Sequence, residues 1–253
     1  MDPATAPSKI EIRSLTMAYG DFVVMRDIDV RIRAGEVFVI MGGSGCGKST
    51  LLKHMIGLKA PAAGGVYYDG QSYWDADEAG RLALRRRLGV MFQQGALWSS
   101  LTLAENVALP LEAFSGLGPA DIRELARVKL ALVGLRGFEE YLPAEISGGM
   151  RKRAALARAL ALDPEILLFD EPSAGLDPVS ARRLDDLLLE LRDSLGATLV
   201  VVSHELASIF AIADHAIFLD PETRRVRAEG NPRDLMRGSE DPRVREFLTR
   251  GSG

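Results

Sequence analysis

A glycine-rich segment near the start of the chain has the residue types and spacing needed to hold phosphate. Residues 42–49 read Gly-Gly-Ser-Gly-Cys-Gly-Lys-Ser and fit the pattern G-x-x-x-x-G-K-[ST]. In such a P-loop the backbone N–H groups point at phosphate oxygens, the lysine reaches the outer phosphates, and the serine hydroxyl ligates Mg²⁺. The candidate nucleotide-binding residues of this segment are Gly42, Gly43, Ser44, Gly45, Cys46, Gly47, Lys48, Ser49 and Thr50.

Other interpretations of this segment remain open. An ordinary glycine-rich turn has a similar composition, but an apolar strand precedes this loop and a helical pattern follows it, as a phosphate-binding loop requires. Thr50 also fits a role in helix packing. Cys46 has backbone donors and a lysine as neighbours, which favours a reactive thiolate. A small residue that fits the loop is the simpler interpretation of Cys46.

An acidic pair ends a later apolar run. Residues 166–171 read Ile-Leu-Leu-Phe-Asp-Glu, so Asp170 comes at the end of a predicted buried strand. We expect Asp170 to hold the shell of a Mg²⁺ ion through water. We expect Glu171 to polarise a water for attack on a γ-phosphate. Acid pairs at strand ends are common, so this interpretation depends on the P-loop.

A second turn suited to phosphate lies farther along the chain. Ser147, Gly148 and Gly149 precede a methionine and a basic run, at what is predicted to be the start of a helix. A serine hydroxyl and glycine N–H groups at a helix N-terminus form an anion cradle. We interpret the basic runs at 85–87 and 151–153 as solvated faces and do not assign them to the site. The alternative for these runs is contact with bound triphosphate, a permease or anionic headgroups.

The elements that must position these residues follow from the apolar pattern. In two N-terminal segments apolar and polar residues alternate, which predicts half-buried antiparallel strands. Later continuous apolar runs predict strands covered on both faces. Their alternation with helical patterns predicts an α/β fold with a largely parallel, doubly wound sheet. A helical insertion spans about 95–162, with breaks at Pro110, at 116–119 and at Pro143. The predicted strands are 10–15, 28–33, 36–41, 64–70, 166–170, 198–203 and 215–220, and one helix covers 181–194.

Composition narrows the range of functions. The 253 residues have a formal net charge of −4, so general attraction to nucleic acid is not supported. A single cysteine excludes an intrachain disulfide and favours a reducing compartment. The N-terminus has no apolar segment of signal-peptide length, and no apolar run approaches the length of a membrane span. We therefore expect any action at a membrane to depend on a partner.

Further residues fall in an order that resembles the ATP-binding cassette (ABC) ATPases. The resemblance covers about residues 10–248, with flexible segments expected at 1–9 and 249–253. It implies a P-loop NTPase fold with a mainly parallel RecA-like core sheet, an N-terminal antiparallel β subdomain and an inserted helical subdomain. The matching positions are Tyr19 (adenine stacking), Gln93 (Q-loop), Ser147, Gly148 and Gly149 (signature turn), Asp170 and Glu171 (Walker B pair), Asp177 (D-loop) and His204 (switch histidine).

The resemblance implies ATP and Mg²⁺ as cofactors and gives each residue a role. Glu171 would be the general base, His204 would contact the γ-phosphate, and Lys48 would complete the catalytic set. The implied metal residues are Ser49, Gln93 and Asp170, and the residues contacting nucleotide also include Tyr19, Gln93 and Asp177.

Three of these positions have simpler alternatives. Gln93 also fits a surface glutamine, and His204 fits a satisfied polar residue at a strand end. Tyr19 fits core packing.

In the family, two cassettes meet head to tail, and ATP lies between the P-loop of one and the signature turn of the other. This chain has one of each, so the resemblance implies a homodimer of this subunit within a larger complex. The signature cradle gains its full interaction only when a γ-phosphate is present. ATP would therefore hold two chains together, and its hydrolysis would weaken that contact.

A narrower resemblance concerns the residues that follow the signature glycines. Met150 stands where the family usually has glutamine, and residues 151–162 continue a pattern similar to the ATPases of Mla-type phospholipid transporters, which work with MCE-domain proteins. Residues 92–111, 129–137, 212–219 and 241–248 are also similar. The implied partners are an MlaE-like permease dimer, an MlaD-like MCE protein and an MlaB-like STAS protein. The implied cargo is phospholipid moved between inner and outer membrane, with this subunit on the cytoplasmic face of the bacterial inner membrane.

Other functions fit parts of the same sequence. An importer ATPase for another solute, such as an amino acid, shares this length, and only Met150 and the flanking segments oppose it. ABC proteins that act on DNA carry a long coiled coil between P-loop and signature, whereas this chain shows no sustained heptads there. Ribosome-acting members usually carry two cassettes per chain, and this chain has one. A GTPase would need an N-K-x-D motif, and no Asn-Lys pair occurs.

Overall fold

The computed structural model describes residues 8–249. Its elements follow in the order β1 (Ser8–Tyr19), β2 (Phe22–Arg33), β3 (Val37–Gly42), α1 (Lys48–Met55), β4 (Ala63–Tyr68), β5 (Gln71–Ser72), α2 (Glu78–Arg86), β6 (Leu88–Met91), α3 (Leu103–Phe114), α4 (Pro119–Leu132), α5 (Gly148–Ala159), β7 (Ile166–Asp170), α6 (Pro178–Leu195), β8 (Thr198–Val202), α7 (Leu206–Ile212), β9 (His215–Asp220), β10 (Arg225–Gly230), α8 (Pro232–Gly238) and α9 (Pro242–Thr249).

An antiparallel sheet forms the N-terminal subdomain, as the alternating pattern predicts. Its strand order is β2-β1-β4-β5, and β1 pairs antiparallel with both β2 and β4. The first strand and the last helix of the described residues differ slightly from the sequence-based boundaries. Strand β1 begins at Ser8 and helix α9 reaches Thr249. The rest of the two segments expected to be flexible, 1–7 and 250–253, lies outside the described residues.

A six-stranded sheet with the order β10-β9-β3-β8-β7-β6 is the core of the chain. Strands β9, β3, β8, β7 and β6 run parallel, and β10 adds an antiparallel edge strand. Every residue of β3 is buried, and its side chains alternate between two apolar clusters. One cluster contains residues of the helical subdomain and α6, and the other contains residues of α1 and the antiparallel sheet. The α/β fold and the mainly parallel core sheet are confirmed.

The helical subdomain consists of α3, α4 and α5, within the predicted insertion. Helix α3 begins with a capping box between Thr102 and Glu105 and continues through Pro110, so the predicted break there is wrong. The proline removes one N–H group from the helix. Leu103, Val107 and Leu111 nevertheless bury one continuous face, and Pro110 is half-buried at the edge of that face. Within residues 8–249, no helix is both long and apolar enough to cross a membrane.

Candidate nucleotide site

The P-loop lines one cleft together with residues from three other strand ends. The volume of this cleft is about 470 Å³. The residues that line it are Tyr19, Phe22, Val24, Ser44, Gly45, Gly47, Lys48, Ser49, Thr50, Gln93, Glu171 and His204.

Sheet topology explains why these residues meet. The P-loop follows β3, Asp170 ends β7, His204 comes two residues after β8, and Gln93 comes two residues after β6. These four strands are parallel neighbours, so their carboxyl ends lie at one edge of the sheet. Ligand sites of open α/β sheets form at this edge.

The Lys48 ammonium group lies inside the curl of the P-loop. Its Nζ atom donates hydrogen bonds to the carbonyl oxygens of Gly42 at 2.9 Å and Gly43 at 3.0 Å. Lys48 is also the first residue of α1, so its charge adds to the positive end of the helix dipole. The loop therefore presents a fixed positive centre to an anion in the cleft.

The back of the P-loop is packed too closely for larger residues. Gly42 has a φ of 149°, and a Cβ there would lie 2.6 Å from the Leu219 carbonyl oxygen and 2.7 Å from the Cys46 Sγ atom. Gly42, Gly43 and Cys46 are absent from the cleft lining, so the loop front from Ser44 onward would contact a ligand. Cys46 is buried in the apolar cluster below, and burial raises the pKa of its thiol. This favours the small, inert residue over the reactive thiolate.

The predicted metal residues are partly assembled. The Ser49 hydroxyl donates a hydrogen bond to the Asp170 Oδ1 atom at 2.9 Å, and Gln93 lies exposed at the cleft. Among residues 8–249, no group of three or more His, Cys, Asp or Glu side chains could hold a metal. A hydroxyl and one carboxylate fit Mg²⁺, which is commonly bound by one or two carboxylates plus substrate phosphates.

Glu171 and His204 form a direct pair that sequence reasoning missed. The His204 Nδ1 atom lies 2.7 Å from Glu171 Oε1, and the His204 backbone N–H donates to Glu171 Oε2 at 3.4 Å. Glu171 is buried, whereas half of the His204 side chain is exposed. If Nδ1–H donates to the carboxylate, the second ring nitrogen, Nε2, takes no part in this contact.

The signature turn lies apart from this cleft. Ser147 caps α5, its hydroxyl oxygen accepting a hydrogen bond from the Met150 N–H at 3.3 Å. Gly148 and Gly149 begin the helix, so their N–H groups have no acceptor within it. The P-loop and the signature turn are therefore two separate candidate anion sites in one chain, because none of Ser147, Gly148 and Gly149 lines the P-loop cleft.

Asp177 also lies away from the cleft. It is exposed and caps α6, its carboxylate accepting hydrogen bonds from the N–H groups of Val179 and Ser180. A nucleotide contact by Asp177 within its own chain finds no support in this arrangement, so the contact that the resemblance implies stays a prediction.

Comparison with known proteins decides the family. A family model described as "ABC transporter" matches residues 25–174, more than half of the chain. The chain belongs to the ABC transporter family.

Two kinds of relatives resemble the cassette to the same degree. The intermembrane phospholipid transport system ATP-binding protein MlaF of Haemophilus influenzae is 40% identical over 94% of this chain and 89% of its own length. The "Probable ribonucleotide transport ATP-binding protein mkl" of Mycobacterium tuberculosis is 41% identical over the same share of this chain. The cassette spans only 66% of that mycobacterial protein.

A solved structure supports the fold. The dimeric, post-hydrolysis structure of the ATP-binding cassette MJ0796, bound to ADP and Pi, is 33% identical. It matches with a TM-score of 0.79 over 88% of this chain and 98% of that one.

Tyr19 of the cassette is a surface residue at the rim of the cleft. Its side chain is 49% exposed, so the core-packing alternative is wrong. The Lys59 Nζ atom lies 4.0 Å from the ring centroid, which is cation–π distance. The ring is thus available at the cleft, and stacking on adenine stays a prediction.

Lys152 of the cassette was missed as well. The basic run at 151–153 was interpreted as a solvated face, but Lys152 is buried. Its Nζ atom donates to the carbonyl oxygens of Gln93 at 2.8 Å and Glu171 at 3.1 Å. The helical spacing of Lys152 with the buried Ala155, Leu156 and Ala159 would have identified it.

Proposed function

We propose that this cassette is the ATP-hydrolysing subunit of a transporter that moves phospholipids between the inner and outer bacterial membranes. The observation that carries the hydrolytic part is the cleft in which Lys48, the Ser49–Asp170 pair and the Glu171–His204 pair converge. Each group has a distinct task in phosphoryl transfer to water.

The P-loop amides and the Lys48 ammonium hold the outer phosphates and fix the γ-phosphorus in line with a water molecule. Ser49 and Asp170 would hold Mg²⁺, which, when bound, neutralises charge on the phosphate oxygens. The Glu171 carboxylate accepts a proton from the water as its oxygen bonds to the γ-phosphorus. The bond from that phosphorus to the β–γ bridging oxygen breaks, and ADP and phosphate form. His204 keeps the carboxylate in place and directs Nε2 towards the γ-phosphate.

Two chains complete each site in this proposal. Because the signature cradle lies outside the P-loop cleft, it would act on the nucleotide of a second copy arranged head to tail. Cassettes of this family dimerise and pair with permease subunits, and the dimeric MJ0796 structure supports an assembly of two copies. A γ-phosphate between the two cradles would hold the copies together, and its loss would weaken their contact.

The phospholipid part rests on the likeness to MlaF and on Met150 with its flanking segments. It brings an MlaE-like permease dimer, an MlaD-like MCE protein and an MlaB-like STAS protein as partners. The cassette would then work on the cytoplasmic face of the inner membrane, held there by the permease.

Ribonucleotide transport is the second candidate, because the mycobacterial relatives are as similar as MlaF. The residues of the ATP cleft do not distinguish the two cargoes, since they act on ATP in either case.

Copurification distinguishes these cargoes. The tagged cassette would be purified with its native membrane complex in mild detergent, and its subunits and bound small molecules identified by mass spectrometry. We expect a permease, an MCE-domain protein and phospholipid in fixed ratio to the cassette. Recovery of a ribonucleotide other than ATP or ADP in fixed ratio to the permease, or of an amino-acid permease without an MCE protein, would overturn the phospholipid assignment.

A further inference from the structure

Lys152 is a buried lysine whose two hydrogen-bond acceptors within residues 8–249 are backbone oxygens. Its exposed fraction is 8%, and within residues 8–249 no carboxylate lies within ion-pair distance of its Nζ atom. The ammonium group donates instead to the carbonyl oxygens of Gln93 and Glu171. Burial lowers the pKa of Lys152, and the charges of Glu171 and Asp170 oppose that shift. A buried ammonium group is costly unless its donors are used, so these two contacts account for its presence.

The helix that carries Lys152 begins at the signature turn. Helix α5 is capped by Ser147, and Lys152 lies on its second turn. A second cation of the same helix, Arg158, donates to the carbonyl oxygens of Gly95 and Ala96, both at 2.7 Å. The helix therefore holds residues 93–96 of the Q-loop at two points.

Glu171 has an unusual backbone that needs support. Its φ is 51°, in the left-handed region that residues with a side chain rarely adopt. Its N–H donates to the Val202 carbonyl oxygen at 2.9 Å, and its own carbonyl accepts from Lys152. Such conformations persist only where the surroundings hold them. Lys152 is thus one of three hydrogen-bonded anchors of the Glu171 backbone, since the Ala174 N–H also donates to the Glu171 carbonyl oxygen, at 3.3 Å.

We propose that Lys152 is a positioning residue that couples the signature helix to the general base and the Q-loop of its own chain. When the signature turn closes on the ATP of a partner copy, α5 moves as a rigid helix. The two carbonyl contacts carry that movement to Glu171 and Gln93. Catalysis in one cleft would thereby depend on engagement of the other. This inference rests on the proposed ATP hydrolysis with Glu171 as base.

A matched control exists in the same subdomain. Lys129 in α4 is also buried, but it pairs with the Asp163 carboxylate, which does not line the cleft, whereas Lys152 contacts Gln93 and Glu171, which do. Replacing either lysine by methionine removes a buried ammonium group and keeps the volume of the side chain. The two variants differ in whether the lost contact reaches the cleft.

The test compares Lys152→Met, Lys152→Arg and Lys129→Met for kcat, KM for ATP, melting temperature and ATP-dependent dimer formation. We expect Lys152→Met to lose at least about tenfold in kcat with KM changed less than about threefold. It should also accumulate an ATP-bound dimer. For Lys152→Arg, the logarithm of kcat should regain at least about a third of the drop seen in Lys152→Met. Lys129→Met should keep kcat within about twofold.

Several results would overturn the inference. These are a Lys152→Met kcat within about twofold of wild type, a kcat loss no larger than that of Lys129→Met, or no ATP-dependent dimer in Lys152→Met. If Lys152→Met does not fold, Lys152→Gln, which keeps a donor but shortens its reach, must show the same kcat loss. Brisk turnover by Glu171→Gln would instead show that Glu171 is not the general base. That separates failure of the proposed function from failure of the coupling.

Discussion

The Nδ1 atom of His204 lies 2.7 Å from the Oε1 atom of Glu171. Glu171 follows β7 and His204 follows β8, so the contact joins two neighbouring strand ends of the core sheet. The histidine thereby holds the side chain of the proposed base, while the left-handed backbone of Glu171 aims it into the cleft. Base and histidine should therefore act as one unit.

Replacing Glu171 and His204 singly and then together tests whether they act as a pair. We expect Glu171→Gln to hydrolyse ATP roughly 10²- to 10⁴-fold more slowly, the range that general bases contribute, while it still binds ATP. His204→Ala should lose activity because it frees the carboxylate and removes the γ-phosphate contact. Since residues that act together are strongly non-additive, the double variant should be little slower than Glu171→Gln. Steady-state ATPase rates of the three variants check this, and fully multiplicative losses would argue against the pairing.

The P-loop lysine should be needed for nucleotide binding. Lys48→Ala removes a cation held among phosphate-binding amides, and a charged hydrogen bond contributes about 1.5–3 kcal/mol. We therefore expect the Kd for ATP to rise about 10- to 100-fold. Lys53→Ala is the control, because Lys53 lies on the same helix but is exposed and does not line the cleft. Equilibrium binding of a fluorescent ATP analogue distinguishes the variants, and equal affinities would exclude the proposed role.

Met150 should matter little for the chemistry. Its side chain is half-buried and lines a groove with Leu176, Leu184 and Leu187, away from the P-loop cleft. Because the phosphate contacts are proposed to come from Ser147 and the glycine amides, Met150→Gln should keep the ATPase rate within a few fold. That corresponds to about 1 kcal/mol or less in the activation free energy. A loss above a hundredfold would show that this side chain acts on the nucleotide.

A buried histidine predicts a pH dependence of stability. His54 in α1 is fully buried, neither ring nitrogen has a hydrogen-bond partner among the described residues, and burial lowers its pKa. The unfolded chain therefore binds a proton on His54 more readily, so the free energy of unfolding should fall as pH drops below about 6.5. Urea unfolding at pH 5 and 7 should show a smaller difference for His54→Leu than for wild type. An unchanged difference would exclude His54 as the cause.

The sequence predicts the fold well where patterns are local. The P-loop, the buried run of β3 and the acidic end of β7 all occur as predicted, because each depends on residues that adjoin in the chain. Pro110 was misjudged because the burial of Leu103, Val107 and Leu111 keeps α3 continuous.

What the sequence left out depends on contacts between distant residues. Glu171 and His204 follow two strands that are adjacent in the sheet but distant in the sequence, and no local pattern specifies a side-chain contact between them. Lys152 was hidden in a basic run because charge alone suggests exposure. Only the helical phase turns Lys152 inward while Arg151 stays exposed.

Each ATP is proposed to lie between two chains, and the mass of the protein in the presence of ATP tests this most directly. Light scattering after gel filtration should give a dimer for Glu171→Gln with ATP and a monomer with ADP. Adding Ser147→Arg to Glu171→Gln should keep the protein monomeric with ATP. The Kd for ATP should stay within about threefold of the value for Glu171→Gln alone. Loss of ATP binding by the monomeric Ser147→Arg variant, or dimer formation despite that substitution, would contradict the account.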